Sequence, residues 1–158
     1  MELKLLVENQ VCEAYIHHIF GAGETGPVKI TRHEDVGRYI MSLVSYSDYP
    51  AKPNIGITLV VPNSPNEPLK RRHGYFTIED QSKINDFIYK DYKIWVSTAM
   101  SVATGELRLT KTEAITCIMD LLNLQDDPTL FENLKKNDYR RRKKVQNFLL
   151  YSINRFNK

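Results

Sequence analysis

Apolar residues recur at helical spacing over most of this chain and at strand spacing only in short runs. Residues 3–20 place Leu5, Cys12, Tyr15, Ile16 and Ile19 near a 3.6-residue period, with Glu8 and Glu13 on other faces, and predict a helix. The run G-A-G-E-T-G over 21–26 ends it. Residues 27–30, P-V-K-I, read as a short strand. Thr31 and Glu34 have the spacing of a capping box, which predicts a helix carrying Val36, Ile40, Leu43 and Val44 on one face. Pro50 and Pro53 forbid its continuation.

Residues 55–61, I-G-I-T-L-V-V, form the strongest strand pattern and are apolar enough to be covered on both faces. Pro62, Pro65 and Pro68 then punctuate a segment, 62–73, that reads as a protruding loop. Residues 74–78, G-Y-F-T-I, read as a strand pairing back on 55–61 in a long-looped hairpin. If the strands at 27–30 and 55–61 are parallel, the helix between them makes a right-handed crossover.

From about Glu79 the pattern is all helical. Ile84, Phe87, Ile88, Trp95, Ala99 and Val102 mark one stripe, and Gly105 follows as a stop. Thr110 and Glu113 form a second capping box before Ile115, Ile118, Met119 and Leu122. Asp127 and Pro128 are an N-cap and a first helical residue. The pattern leaves open whether 128–156 is one helix or two. The fold expected is α+β, a helix-rich single domain over 1–158. It has a small two- or three-stranded sheet (about 27–30, 55–61 and 74–78) and an all-helical C-terminal half.

Charge changes this picture at one end. From Lys135 onward nine lysines and arginines face one acid, Asp138, a net +8, while residues 1–134 carry thirteen cations and eighteen acids, a net −5. Such segregation points to a polyanionic partner. The candidate polyanion-binding residues are Arg140, Arg141, Arg142, Lys143 and Lys144, with Lys135 and Lys136. Lys70, Arg71 and Arg72 form a secondary basic loop. Val145, Phe148, Leu149, Ile153 and Phe156 recur at helical spacing and read as the stripe that docks the basic helix 135–158 onto protein. A new helix starting at Asp138 would put five cations at a positive dipole end; a continuous one would not.

Other chemistry finds little support. Gly21, Gly23 and Gly26 match G-x-G-x-x-G but follow a helix and precede a strand, the reverse of a dinucleotide site. They read as a helix stop and turn. His17 and His18 are adjacent and point about 100° apart, so they cannot chelate together. His33 and His73 have no metal-site spacing. There is no G-x-S-x-G elbow, and Cys12 and Cys117 read as small buried apolar side chains. Paired acids such as Glu79–Asp80 and Asp126–Asp127 sit at helix starts, where they favour the dipole. A helix-turn-helix over 110–137 would present an acidic and apolar second helix, a poor reader of a major groove. No catalytic residue, metal or cofactor is expected.

No apolar run approaches the roughly 20 residues of a membrane span. The first ten residues lack the basic start and apolar core of a signal peptide. These features predict a cytoplasmic protein, or one assembled into a particle inside the host cell, with no membrane partner. The expected function is a non-enzymatic adaptor or structural subunit of a larger assembly, such as a phage-particle or mobile-element component. Its basic helix would contact a DNA or RNA backbone or an acidic protein surface, and its partners would be other copies or other subunits. A free nucleic-acid-binding regulator is the alternative, and a small hydrolase or nuclease is the third class.

Overall fold

The computed structural model describes residues 1–23, 26–49, 55–62 and 73–156, with side chains in the last helix described through Lys144 and at Gln146. The described elements run β1 (Glu2–Leu5), α1 (Gln10–Ile19), β2 (Val28–Lys29), α2 (Asp35–Ser42), β3 (Ser45–Ser47), β4 (Ile57–Val60), β5 (His73–Tyr75), α3 (Ile78–Gly105), α4 (Lys111–Leu121) and α5 (Pro128–Phe156). This is a helix-rich α+β fold whose described chain is helical after β5. Contacts gather in two compact units, Met1–Ile94 and Trp95–Lys158, and the boundary falls inside α3.

In the first unit β4 is the central strand of a three-stranded sheet, order β1-β4-β2. It pairs antiparallel with β1, Glu2 opposite Val60 and Leu5 opposite Ile57. It pairs parallel with β2, Val28 opposite Leu59. The apolar run at 55–61 thus earns its central place, but Ile55 lies outside the strand and is 86% exposed. Within β4 burial alternates, Ile57 and Leu59 buried and Thr58 and Val60 half-buried, so the strand is not fully covered on both faces.

β1 corrects the expectation of one helix over 3–20. Leu3, Leu5 and Val7 are buried while Glu2, Lys4 and Leu6 are exposed, a period of two. The helix begins only at Gln10, where the Asn9 side chain accepts from the amide of Val11. Two side chains of α3 hold the connecting backbone. The amide of Leu6 donates to Gln81 Oε1 at 3.3 Å and that of Glu8 to Asn85 Oδ1 at 3.1 Å, while Asn85 Nδ2 donates to the Leu6 carbonyl at 2.9 Å.

The box expected at Thr31 does not form either. The ladder continues past β2, Ile30 donating its amide to the Val60 carbonyl at 2.9 Å, and this keeps Thr31 with the strand. The N-cap of α2 is Glu34, without a side-chain cap. Gly37 packs on the Thr31 carbonyl, where a Cβ would come within 2.0 Å of that oxygen. Val36 and Ile40 are buried as expected, and Leu43 and Val44 are half-buried.

β5 does not return to β4. It pairs antiparallel with β3, Ser45 opposite Tyr75, in a separate two-stranded sheet. The short S-Y-S strand has no apolar alternation to announce it. β5 ends at Tyr75 because Thr77 already caps α3, its Oγ1 accepting from the amide of Asp80 at 3.1 Å. Residues 63–72, most of the expected protruding loop and with it Lys70, Arg71 and Arg72, lie outside the described residues.

The first core gathers Leu3, Leu5, Val28 and Leu59 from the sheet with Ile16, Val36, Ile40, Ile84 and Ile88 from the helices. A part-buried polar contact accompanies it. Tyr15 Oη donates to Asp91 Oδ2 at 2.6 Å, and the Tyr15 and Tyr92 rings meet edge to face at 5.7 Å. Burial, then the Asp91 carboxylate, push the Tyr15 phenol well above its usual range. Burial pushes Tyr92 up to about 12. The second core is formed by Met100 and Ala103 of α3, Ala114, Ile115, Ile118 and Met119 of α4 with Leu122 after it, and Leu130 and Leu134 of α5. Val102 of the expected stripe is 38% exposed, because Met100 and Ala103 take the inner face.

Two outcomes test this packing. Leu59→Ala, which empties the centre of the sheet, should cost about 2–5 kcal/mol in chemical denaturation. The raised phenol of Tyr15 keeps its proton folded and loses it unfolded. Its stability is therefore complete below about pH 10 and falls as pH rises beyond that. Tyr15→Phe should flatten that alkaline decline in a denaturation series, while stranding the Asp91 carboxylate and lowering stability near neutrality by about 1–3 kcal/mol.

Candidate polyanion-contact face of the last helix

α5 is one continuous helix. Asp127 Oδ1 accepts from the amide of Leu130 at 3.0 Å, and Pro128 takes the first helical position. No second start occurs at Asp138. The cations therefore lie mid-helix, without a dipole penalty. At 3.6 residues per turn a consecutive basic run must also divide among faces.

Three residues of the run face their own unit. Leu130 and Leu134 are buried, and Asp138, one turn on, has its side chain only 8% exposed. Arg142 Nε approaches Asp138 Oδ2 at 2.8 Å, and Lys111 Nζ at the start of α4 stands 4.0 Å from the same oxygen. Arg141 donates from Nη1 to the Ser97 carbonyl at 2.7 Å and from Nη2 to Ser101 Oγ at 3.1 Å. The lone acid of the basic segment and two of its arginines thus tie α5 to α3 and α4.

The remaining cations share another face. Lys136, Arg140, Lys143 and Lys144 fall at i, i+4, i+7 and i+8, within about 100° of arc. All four are exposed and none makes an ion pair among the described residues. Tyr139, 66% exposed, flanks them. Lys135 lies aside, 3.9 Å from Glu132. The sequence named all seven basic residues, but only the continuous helix divides them. The i, i+4, i+7, i+8 spacing is present in the sequence, but the consecutive run 140–144 masks it.

The docking residues Val145, Phe148, Leu149, Ile153 and Phe156 lie on α5, but their side chains are outside the described residues. At the other end of α5 an open cleft of about 480 Å³ lies between α4 and α5. Its lining includes Met119, Pro128 and Phe131 together with Asp120, Asp126, Asp127 and Glu132. No protein-family model, curated protein or solved structure matches this chain.

The other candidates resolve into local structure. Gly21 adopts φ +60° and closes α1, with the Gly21 amide on the His18 carbonyl and the Ala22 amide on the His17 carbonyl. His17 is buried with Nδ1 2.8 Å from the Gly23 carbonyl. Cys12 is buried, and burial raises its thiol above the usual range. Cys117 is exposed, contrary to expectation, because Ile115, Ile118 and Met119 take the inner face of α4. The Thr110–Glu113 capping box forms as expected. Its hydrogen bonds to Thr110 hold the Glu113 carboxyl below the usual range. Among the described residues no three His, Cys, Asp or Glu side chains gather as metal ligands, and no helix is long and apolar enough to cross a membrane.

The two kinds of cation should separate by stability. Arg141→Ala removes two charge-assisted hydrogen bonds and should cost about 1 kcal/mol. Lys143→Ala, at an exposed site, should stay within about 0.5 kcal/mol of wild type in the same urea titration. Thr110→Ala should cost about 1 kcal/mol by loss of the cap. Because Glu113 is depressed in the fold, its contribution is present above the ordinary carboxylate range and is lost as pH falls through the folded value. The deficit of Glu113→Ala should therefore shrink in acid, while that of Thr110→Ala, which keeps the Thr110 amide bond to Glu113 and loses only a neutral acceptor, should change little.

Proposed function

We propose that this protein acts by contact, as a non-enzymatic adaptor or structural subunit of a larger assembly, and that the outer face of α5 meets a polyanion. The observation that carries this reading is the row Lys136, Arg140, Lys143 and Lys144, exposed on one face without ion pairs among the described residues. Four like charges along about 12 Å of helix repel one another unless an anion compensates them. Duplex DNA offers a phosphate about every 3.4 Å of helix axis on each strand, so the row matches the axial span of three or four of them. A carboxylate-rich protein surface offers the same compensation.

Titration of a labelled DNA duplex and of polyglutamate, from low to high salt, tests the reading. Wild type should bind at low salt and weaken steeply as salt rises. Changing Lys136, Arg140, Lys143 and Lys144 together to Gln should remove that binding, lower the DNA salt slope by about 3–4, and leave the helical circular dichroism unchanged. Absence of affinity for both probes at low salt, or equal affinity in the quadruple variant, overturns the proposal.

A further inference from the structure

We propose that the polyanion met by the cationic face of α5 is the acidic end of the same helix in a second copy, so that two chains pair antiparallel through their outer α5 faces. This inference rests on the contact reading above and names its partner. Glu132, Lys136, Arg140 and Lys143 follow one line along α5, at i, i+4, i+8 and i+11. The sign of charge inverts along that line. Its N-terminal end holds Glu132, which lines a cleft together with Asp120 of α4 and Asp126, and its middle holds the cations.

The two ends cannot neutralise each other within one helix. Glu132 and Lys143 are separated by about 16 Å of axis. Glu132 reaches only Lys135, at 3.9 Å. Asp120 and Asp126 make no ion pair among the described residues. An antiparallel second helix reverses the order and lays Lys143 and Lys144 over the carboxylates twice, once at each end, with Lys136 and Arg140 of the two copies flanking the centre. A two-fold arrangement of this kind is self-complementary and closes as a dimer.

The cleft also suits the side chains it would receive. Lysine and arginine carry apolar stems and cationic heads, and the cleft is lined by both apolar Met119 and Phe131 and by carboxylates. Asp127 is committed to capping α5, which leaves Asp120, Asp126 and Glu132 as the recognising acids.

Sedimentation of the full chain across protein concentration tests the inference. Wild type should dimerise at about 0.05 M salt, and its dissociation constant should rise at least tenfold by about 0.5 M. A variant with K136E, R140E, K143E and K144E has an all-acidic face, and one with D120K, D126K and E132K has an all-basic face. Each should be monomeric alone and helical by circular dichroism, and an equimolar mixture should restore the dimer. Wild type that stays monomeric at low salt, a mixture that stays monomeric, or a dimer that persists in both single-sign variants overturns the inference. A monomer that still binds the DNA duplex or polyglutamate through the cationic row overturns the dimer alone and leaves the contact reading standing. Loss of that reading appears in the probe titrations, run at protein concentrations below the dissociation constant of the dimer so that the row is free to bind.

Discussion

The cap at Asp127 and the proline after it start α5 in one phase, and the helix keeps that phase to Phe156. Each later side chain inherits its direction from this start. Leu130 and Leu134 fix which face is inward. Asp138 then falls one turn beyond Leu134 with its side chain almost covered, and a nearly buried carboxylate requires partners. Arg142 and Lys111 supply them. Arg141 falls where its guanidinium reaches α3. The rest of the run has nowhere to go but outward. The exposed cationic row is thus a consequence of helical phase, not of the composition of 140–144 alone.

The first unit depends on a similar local decision. Leu3, Leu5 and Val7 alternate, so the chain enters as a strand and gives β4 its antiparallel neighbour. The amides beyond β1 leave the ladder. Gln81 and Asn85 of α3 receive two of them, and Asn85 also donates to the intervening carbonyl. These side-chain amides link the edge of the sheet to the helix that covers it. Tyr15 and Asp91 add a part-buried polar contact whose geometry tolerates little rearrangement.

Long, periodic helices were legible from sequence because their signals agree. α4 has a capping box and an apolar stripe, and α5 has an Asp-Pro start. The β4 strand was legible from its nearly continuous apolar run. Where two signals competed, the sequence misled. Leu5, Cys12, Tyr15, Ile16 and Ile19 fit a helix well enough to hide the three-residue alternation before them. Thr31 and Glu34 have the letters of a capping box, but the β2 ladder extends through Ile30 and takes Thr31 with it. β3 has no pattern to detect; Tyr46 is flanked by two serines, and its pairing with β5 is a tertiary choice. In the basic segment the residue types were legible, and their division between anchoring and exposure was not. That division needed the identity of one partly hidden acid, Asp138, and the carbonyl and hydroxyl waiting on α3.

The chemistry of the two sets differs as well as their direction. The cations that anchor α5 are Arg141 and Arg142, whose guanidinium nitrogens are held by fixed oxygens. A planar fork suits such sites because its donors keep a fixed relative geometry. Three of the four exposed cations are lysines, compact and strongly hydrated charges on flexible stems. Reading base edges in a major groove calls for bidentate side chains, above all arginine on guanine. Only Arg140 in the exposed row offers that fork. A lysine-rich row instead fits partners recognised by charge, where register may shift by a few ångströms at little energetic cost. Such contacts weaken with salt and tolerate lysine–arginine exchange, while Arg141 and Arg142 should not tolerate it equally. The row is therefore suited to a phosphate backbone or a carboxylate surface, and poorly suited to the selection of a nucleotide sequence.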